Sequence, residues 1–176
     1  AELVKIDPRS IGVGQYQHDV DEQKLKSALD QCVQLVVNEV GVELNTASQY
    51  LLAHISGLSP GLAEKIVNKR NEMGGFKDRQ ELKDVPGLGP KAFEQCAGFL
   101  RIANAANPLD NTAVHPESYS LVKKIGQQLK LNVESLIRNE AELQKVDVQI
   151  LVNDGAGKYT VESVIGELKK PGRDPR

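Results

Sequence analysis

Tryptophan is absent and aromatic residues make up only 4% of the 176 positions, so any core has to be assembled from Leu, Val, Ile and Ala. Aliphatic faces of that kind suit helices packed on one another better than a β-sandwich, and the expected fold class is all-α. Cysteine is nearly absent: Cys32 and Cys96 stand far apart, each in an apolar-periodic setting. Both read as small buried hydrophobes of a reducing compartment, and His18, His54 and His115 show no ligand spacing with them. Neither a metal site nor a cofactor is expected. No apolar run approaches the ~20 residues that span a bilayer, and no signal-peptide pattern is present. The expected location is the cytoplasm, or the nucleus in a eukaryotic source, with no membrane partner.

An excess of basic charge is also missing, since the formal net charge is -2. A nucleic-acid binder of this composition has to gather its Lys and Arg on one face, because the field of the whole molecule does not attract phosphate. Nucleotide hydrolysis is set aside as well. There is no Gly-x-x-x-x-Gly-Lys-[Ser/Thr] string, and Gly87-Leu88-Gly89 precedes no Rossmann-type unit.

What is present is helical periodicity broken by turn residues. Leu25, Ala28, Leu29, Cys32, Val33, Val36, Val37 and Val40 recur at i, i+3, i+4, i+7 spacing and predict a helix over 21–40, stopped by Gly41. Asn45 or Thr46 is the expected cap of a helix over 48–54. Further helices are predicted over 61–71, 79–83 (capped by Asp78) and 90–102. Residues 104–116 are rich in Asn, Asp and Pro and read as a linker. Beyond it lie helical stretches at 116–130, 133–138, 141–146 and 160–169, with 148–152 either strand or helix. Both ends read as cut from a longer protein.

Within this frame lies a repeat. Gly57 and Gly87, Leu58 and Leu88, and Pro60 and Pro90 are each separated by 30 positions, and each copy reads helix, apolar-x-Gly-Leu-x-Pro, helix. A repeat at that period is a supersecondary unit too small to bury its apolar face alone, so two copies pack together. Glycine lets the turn take positive φ and leaves no Cβ in the way of a close approach. The hairpin Leu tucks between its helices, and the N–H groups opening the second helix point outward, where the helix dipole favours an anion. Phosphate contacts of this kind carry no sequence information.

The candidate nucleic-acid-binding residues are Gly57, Leu58, Ser59, Gly61 and Lys65 in the first copy and Gly87, Leu88, Gly89 and Lys91 in the second. Lys69, Arg70, Lys77 and Arg79 are expected to add salt-dependent attraction. In the first copy Ser59 replaces the second glycine and Gly61 replaces the basic residue, so it is the weaker of the pair.

Residues 44–48 (LNTAS), 66–70 (IVNKR), 75–76 (GF) and 82–89 (LKDVPGLG) resemble the double helix-hairpin-helix of competence DNA-receptor proteins. A closer resemblance covers nearly the whole chain. Residues 11–20 (IGVGQYQHDV), 93–102 (FEQCAGFLRI), 107–110 (NPLD), 114–117 (VHPE) and 167–176 (ELKKPGRDPR) are similar to the Tex family of transcription accessory proteins. That resemblance implies the following division. Residues 1–41 are the tail of an RNase-H-like (YqgF-type) domain plus a connecting helix, and 42–103 are the tandem helix-hairpin-helix domain. A linker follows at 104–116, then a second small helical domain at 117–170 like a degenerate hairpin pair. Residues 171–176 lead towards an S1 RNA-binding domain outside this chain. It also implies a role in transcription, a partner on the transcription machinery, and RNA or DNA held by its backbone. The glycines Gly155 and Gly157 lack the Leu and Pro context, so no phosphate contact is assigned to them.

Two rival functions bear on the expectation. Asp7, Asp19 and Asp21 could be clustered carboxylates of a two-metal nuclease, but Asp19 and Asp21 suit helix capping, and no catalysis is expected. A protein-interaction scaffold that only orients flanking domains is the other reading, favoured by the near-neutral charge and the weakened first hairpin.

Overall fold

The computed structural model describes residues 21–171, which build an almost wholly helical chain. The candidates Asp7, His18 and Asp19 lie outside the described residues, as do the expected β-like text of residues 1–16 and the closing 172–176 string. Helix α1 (Glu22–Val40) starts where the Asp21 carboxylate accepts the N–H groups of Gln23 and Lys24. It ends at Gly41, whose φ of +80° turns the chain away. Of its apolar stripe only Val33 and Val37 are buried. The helix touches the rest of the molecule along one narrow edge, which leaves Leu35 72% exposed. It also leaves Cys32 exposed, against the expectation of a buried thiol.

The first module follows. Helix α2 (Gln49–Leu52) is capped by Ser48 rather than by Asn45 or Thr46. Asn45 instead spans the module, accepting from the Phe76 N–H and donating to the Phe76 carbonyl. Helix α3 (Pro60–Met73) opens on Ser59 and closes at Gly74 in the left-handed region. The 79–84 stretch is a 3-10 helix capped by Asp78, and α4 (Pro90–Cys96) stops six residues short of the expected 102. The reason is tertiary. Leu100–Arg101 leave the helix to form a short parallel pair with Val42–Glu43, so that the end of the module closes on its beginning. The core beneath runs from Leu44, Leu52 and Ile55 through Ile66 and Leu82 to Leu100 and Ile102.

The second module holds α5 (Tyr119–Leu129), α6 (Val133–Leu136), α7 (Glu140–Leu143), α8 (Val148–Asn153) and α9 (Lys158–Lys169), so the ambiguous 148–152 stretch is helical. Val122, Ile125, Leu136, Val161 and Leu168 form its own core.

Between the modules, residues 104–116 are polar by composition yet carry Leu109, Asp110, Thr112 and Val114 below the surface. They wrap around Arg79, which is fully buried. Its Nε donates to the Leu100 carbonyl at 2.7 Å. Nη1 donates to the Val114 carbonyl at 2.8 Å and to the Tyr119 hydroxyl at 2.9 Å, and Nη2 to the Thr112 carbonyl. The Asp110 carboxylate accepts the Arg79 backbone N–H and the Tyr119 hydroxyl. One guanidinium thus joins the first module, the connecting segment and the second module. A buried cation is tolerable only with this many partners.

Burial also silences two acids. It pushes the Cys96 thiol from 9.0 up to about 12. The Tyr119 phenol is raised mainly by burial, with Arg79 opposing the shift and Asp110 reinforcing it. Both groups stay neutral in the fold while the unfolded chain ionises them. The Cys96 contribution is therefore complete below pH 9.0 and is lost as pH rises from there towards about 12, and that of Tyr119 falls in the same direction from pH 10.0 upwards. Thermal melts should show stability falling across that alkaline range. At neutral pH a thiol reagent should label Cys32 at once and Cys96 only on unfolding; two equally fast thiols would contradict the buried position.

Candidate nucleic-acid interface

The two hairpins take the same backbone path. Gly57 and Gly87 have φ of +85° and +87°. The following leucines donate their N–H to Ile55 and Val85 respectively, at 3.1 and 3.0 Å. Leu58 and Leu88 are both buried and belong to the core of the module. Pro60 and Pro90 open α3 and α4, where a missing N–H does no harm.

The copies then differ in three respects. The Ser59 hydroxyl accepts the Leu62 N–H at 3.3 Å, so the first hairpin satisfies one of its outward donors internally. Gly89 stands at the same place before α4 and has no side chain to do so. The amides of that helix start are left for an acceptor from outside.

The second difference is what covers each glycine. A Cβ added at Gly57 would stand 2.6 Å from the Gln95 Cβ and 3.2 Å from the Ala92 carbonyl oxygen, so this turn is closed by α4. At Gly87 the neighbour is the Lys65 ammonium, 3.2 Å from such a Cβ. Residues 65 and 95 are themselves separated by the repeat spacing of 30, so each hairpin glycine is overlain by the matching residue of the other copy. The pseudo-twofold arrangement puts a glutamine on one turn and a cation on the other.

The third difference is the first helical turn. Lys91 is exposed in α4, whereas Gly61 in α3 faces open space. The Lys65 ammonium therefore lies against the Gly87 turn, with Gly89 and the exposed Lys91 next along the chain, and Gly57, Leu58, Ser59 and Gly61 form a turn braced against α4.

Not every basic residue named from the sequence reaches this surface. Arg79 is a correction: its guanidinium is wholly consumed by interior carbonyls and cannot attract phosphate. Arg70 is drawn in too, with Nη1 donating to the Leu44 and Ala47 carbonyls, and burial lowers its pKa. Lys69 lies 3.8 Å from Glu72. Sequence reasoning passed over Lys83, whose Nζ sits 4.7 Å from the centroid of the Phe93 ring. Its place two residues before the Val85-Pro86-Gly87 turn was the available signal.

In the second module Gly155 has φ of +95° and Gly157 opens α9, a turn of related shape. The hairpin leucine is replaced by Ala156, and Asp154 beside it pairs with Lys124. No cluster of three or more His, Cys, Asp or Glu able to hold a metal exists among the described residues. None of the described helices is long and apolar enough to cross a membrane.

Comparison with known proteins agrees with this geometry. Residues 37–101 match a helix-hairpin-helix motif model, and residues 107–176 match a second model described as an HHH domain. Protein YhgF of Escherichia coli is 52% identical over all 176 residues, and Transcriptional accessory protein Tex of Neisseria gonorrhoeae is 51% identical over the same length. The human S1 RNA-binding domain-containing protein 1 is 34% identical over 96% of the chain. The chain spans 23%, 23% and 21% of these relatives. With two helix-hairpin-helix units in place and identity sustained from end to end, the chain is homologous over its whole length to proteins named Tex and YhgF, of which it spans about a quarter.

Proposed function

We propose that this chain is a nucleic-acid-binding module of a transcription accessory factor, holding RNA or DNA by its sugar-phosphate backbone without reading sequence and without catalysis. One observation carries the reading: the uncapped amides at Gly89, behind the left-handed Gly87, with Lys65 and Lys91 beside them. Outward N–H groups, a helix dipole and two ammonium groups form an anion site, and a phosphate diester is the anion that a nucleic acid repeats. The Gly57 hairpin, capped by its own Ser59 and covered by Gln95, braces it. The names of the relatives and the helix-hairpin-helix matches support the same direction, and a partner on the transcription machinery belongs to this proposal.

A scaffold reading is supported by a different observation, the Arg79 clamp that holds two modules in one orientation. Binding of a mixed-sequence oligonucleotide at two salt concentrations separates the two. The expected result is weak, sequence-blind binding, with log K falling as log salt rises by roughly 0.9 per duplex phosphate contacted. Absence of binding at low salt would leave the scaffold.

A further inference from the structure

Beside the Gly87 turn lies a cavity of about 570 Å³ that the phosphate site does not use. Leu88 and Pro90 of the hairpin form one wall, Phe93 of α4 another, and Pro116, which opens the 3-10 turn leading into α5, a third. We propose that this cavity is a nucleobase subsite, receiving an unpaired base from the strand whose phosphate the Gly87 hairpin holds. The inference rests on that phosphate reading and adds a contact to it.

Continuity is the first argument. Leu88 and Pro90 flank the phosphate-facing Gly89 on either side and also line the cavity, so a nucleotide bound at the turn has its base within reach of it. Charge is the second. The polar lining is the Gln80 amide and one ammonium, Lys83, against two carboxylates, Glu94 and Glu117, which disfavours another phosphate and leaves a neutral flat group as the occupant. The carboxylates accept hydrogen bonds, so exocyclic amino groups are favoured over bases without them. Glu117 is 67% exposed and lies 3.6 Å from His115 Nδ1, so its carboxylate can turn to the cavity without breaking a buried pair. Apolar walls with a cation at the edge are the usual means of holding bases independently of their pairing.

The other hairpin supplies the contrast. Tyr50, Ala53 and Pro60 stand 30 positions before Gln80, Lys83 and Pro90, but their groove is walled by α1 with polar residues such as Gln31 and Gln34. Only the second hairpin has apolar walls on both sides.

The test uses the whole chain at low salt with three twelve-nucleotide single strands of equal charge: oligo(dC), oligo(dT) and an all-abasic sugar-phosphate strand. Oligo(dC) should bind about tenfold more tightly than the abasic strand, with oligo(dT) between them because thymine lacks the amino group. In the double variant Gln80→Ala, Glu117→Ala, at two exposed positions, the advantage of oligo(dC) should shrink to about twofold while abasic affinity is kept or raised. Equal binding of the three strands would overturn the subsite and leave the phosphate reading standing. So would a base-dependent advantage that the variant does not alter. Failure of every strand to bind would overturn both.

Discussion

Replacing Arg79 with Leu is expected to destabilise the chain by about 3–5 kcal/mol, because several buried acceptors lose their donor at about 1–3 kcal/mol each. The guanidinium is fully buried, and the side chain and backbone N–H of Arg79 together meet carbonyls from Leu100, Thr112 and Val114, the Tyr119 hydroxyl and the Asp110 carboxylate. Leucine would leave those buried carbonyls and the Tyr119 hydroxyl without their donor, while the backbone N–H that Asp110 accepts is kept. Arg79→Lys keeps the charge but not the planar fork that serves these acceptors, so it should recover only a minor part. The connecting segment is also released, so urea unfolding should resolve into two transitions, one for each core. A single transition with a loss below about 1 kcal/mol would contradict the clamp.

Gly57→Ala and Gly87→Ala should affect stability and binding in opposite proportions. Both glycines sit near φ of +86°, so either alanine brings strain of about 1–3 kcal/mol. At Gly57 the new methyl also meets Gln95 and the Ala92 carbonyl, so this variant should be the less stable of the two. At Gly87 the neighbour is the end of the flexible Lys65 side chain, which can swing aside. That movement takes the ammonium off the turn, and the methyl stands where a phosphate would approach, so Gly87→Ala should lose more binding. Lys91→Glu and Lys65→Glu should each weaken binding to all sequences alike and lower the salt slope by about one, leaving the melting curve unchanged. Equal binding losses for the two alanines would remove the asymmetry between the hairpins.

How much of this was legible beforehand depends on how local each feature is. The repeat, the positive-φ glycines, the buried leucines and the helix-opening prolines follow from a few neighbouring residues, and the turns at Gly57 and Gly87 could be placed directly. Element types survived where periodicity was strong. The end of α4 did not, because Leu100 and Arg101 are taken up by Val42 and Glu43, nearly sixty residues earlier. Asn45 looks like a cap by type, but its partner is Phe76. Cys32 sits in a helical apolar stripe that has only one narrow line of contact.

From the sequence alone, then, came an all-helical chain with two hairpins of unequal build, since turn geometry and capping are short-range chemistry. Tertiary structure decided which cations lie at the second hairpin. Arg79 and Lys65 are both basic and near a turn in the text, yet one is surrounded by carbonyls and the other laid across Gly87. Only the pseudo-twofold packing of the copies, and the path of residues 104–116 around the first module, separates them. Those are long-range contacts that no local pattern encodes.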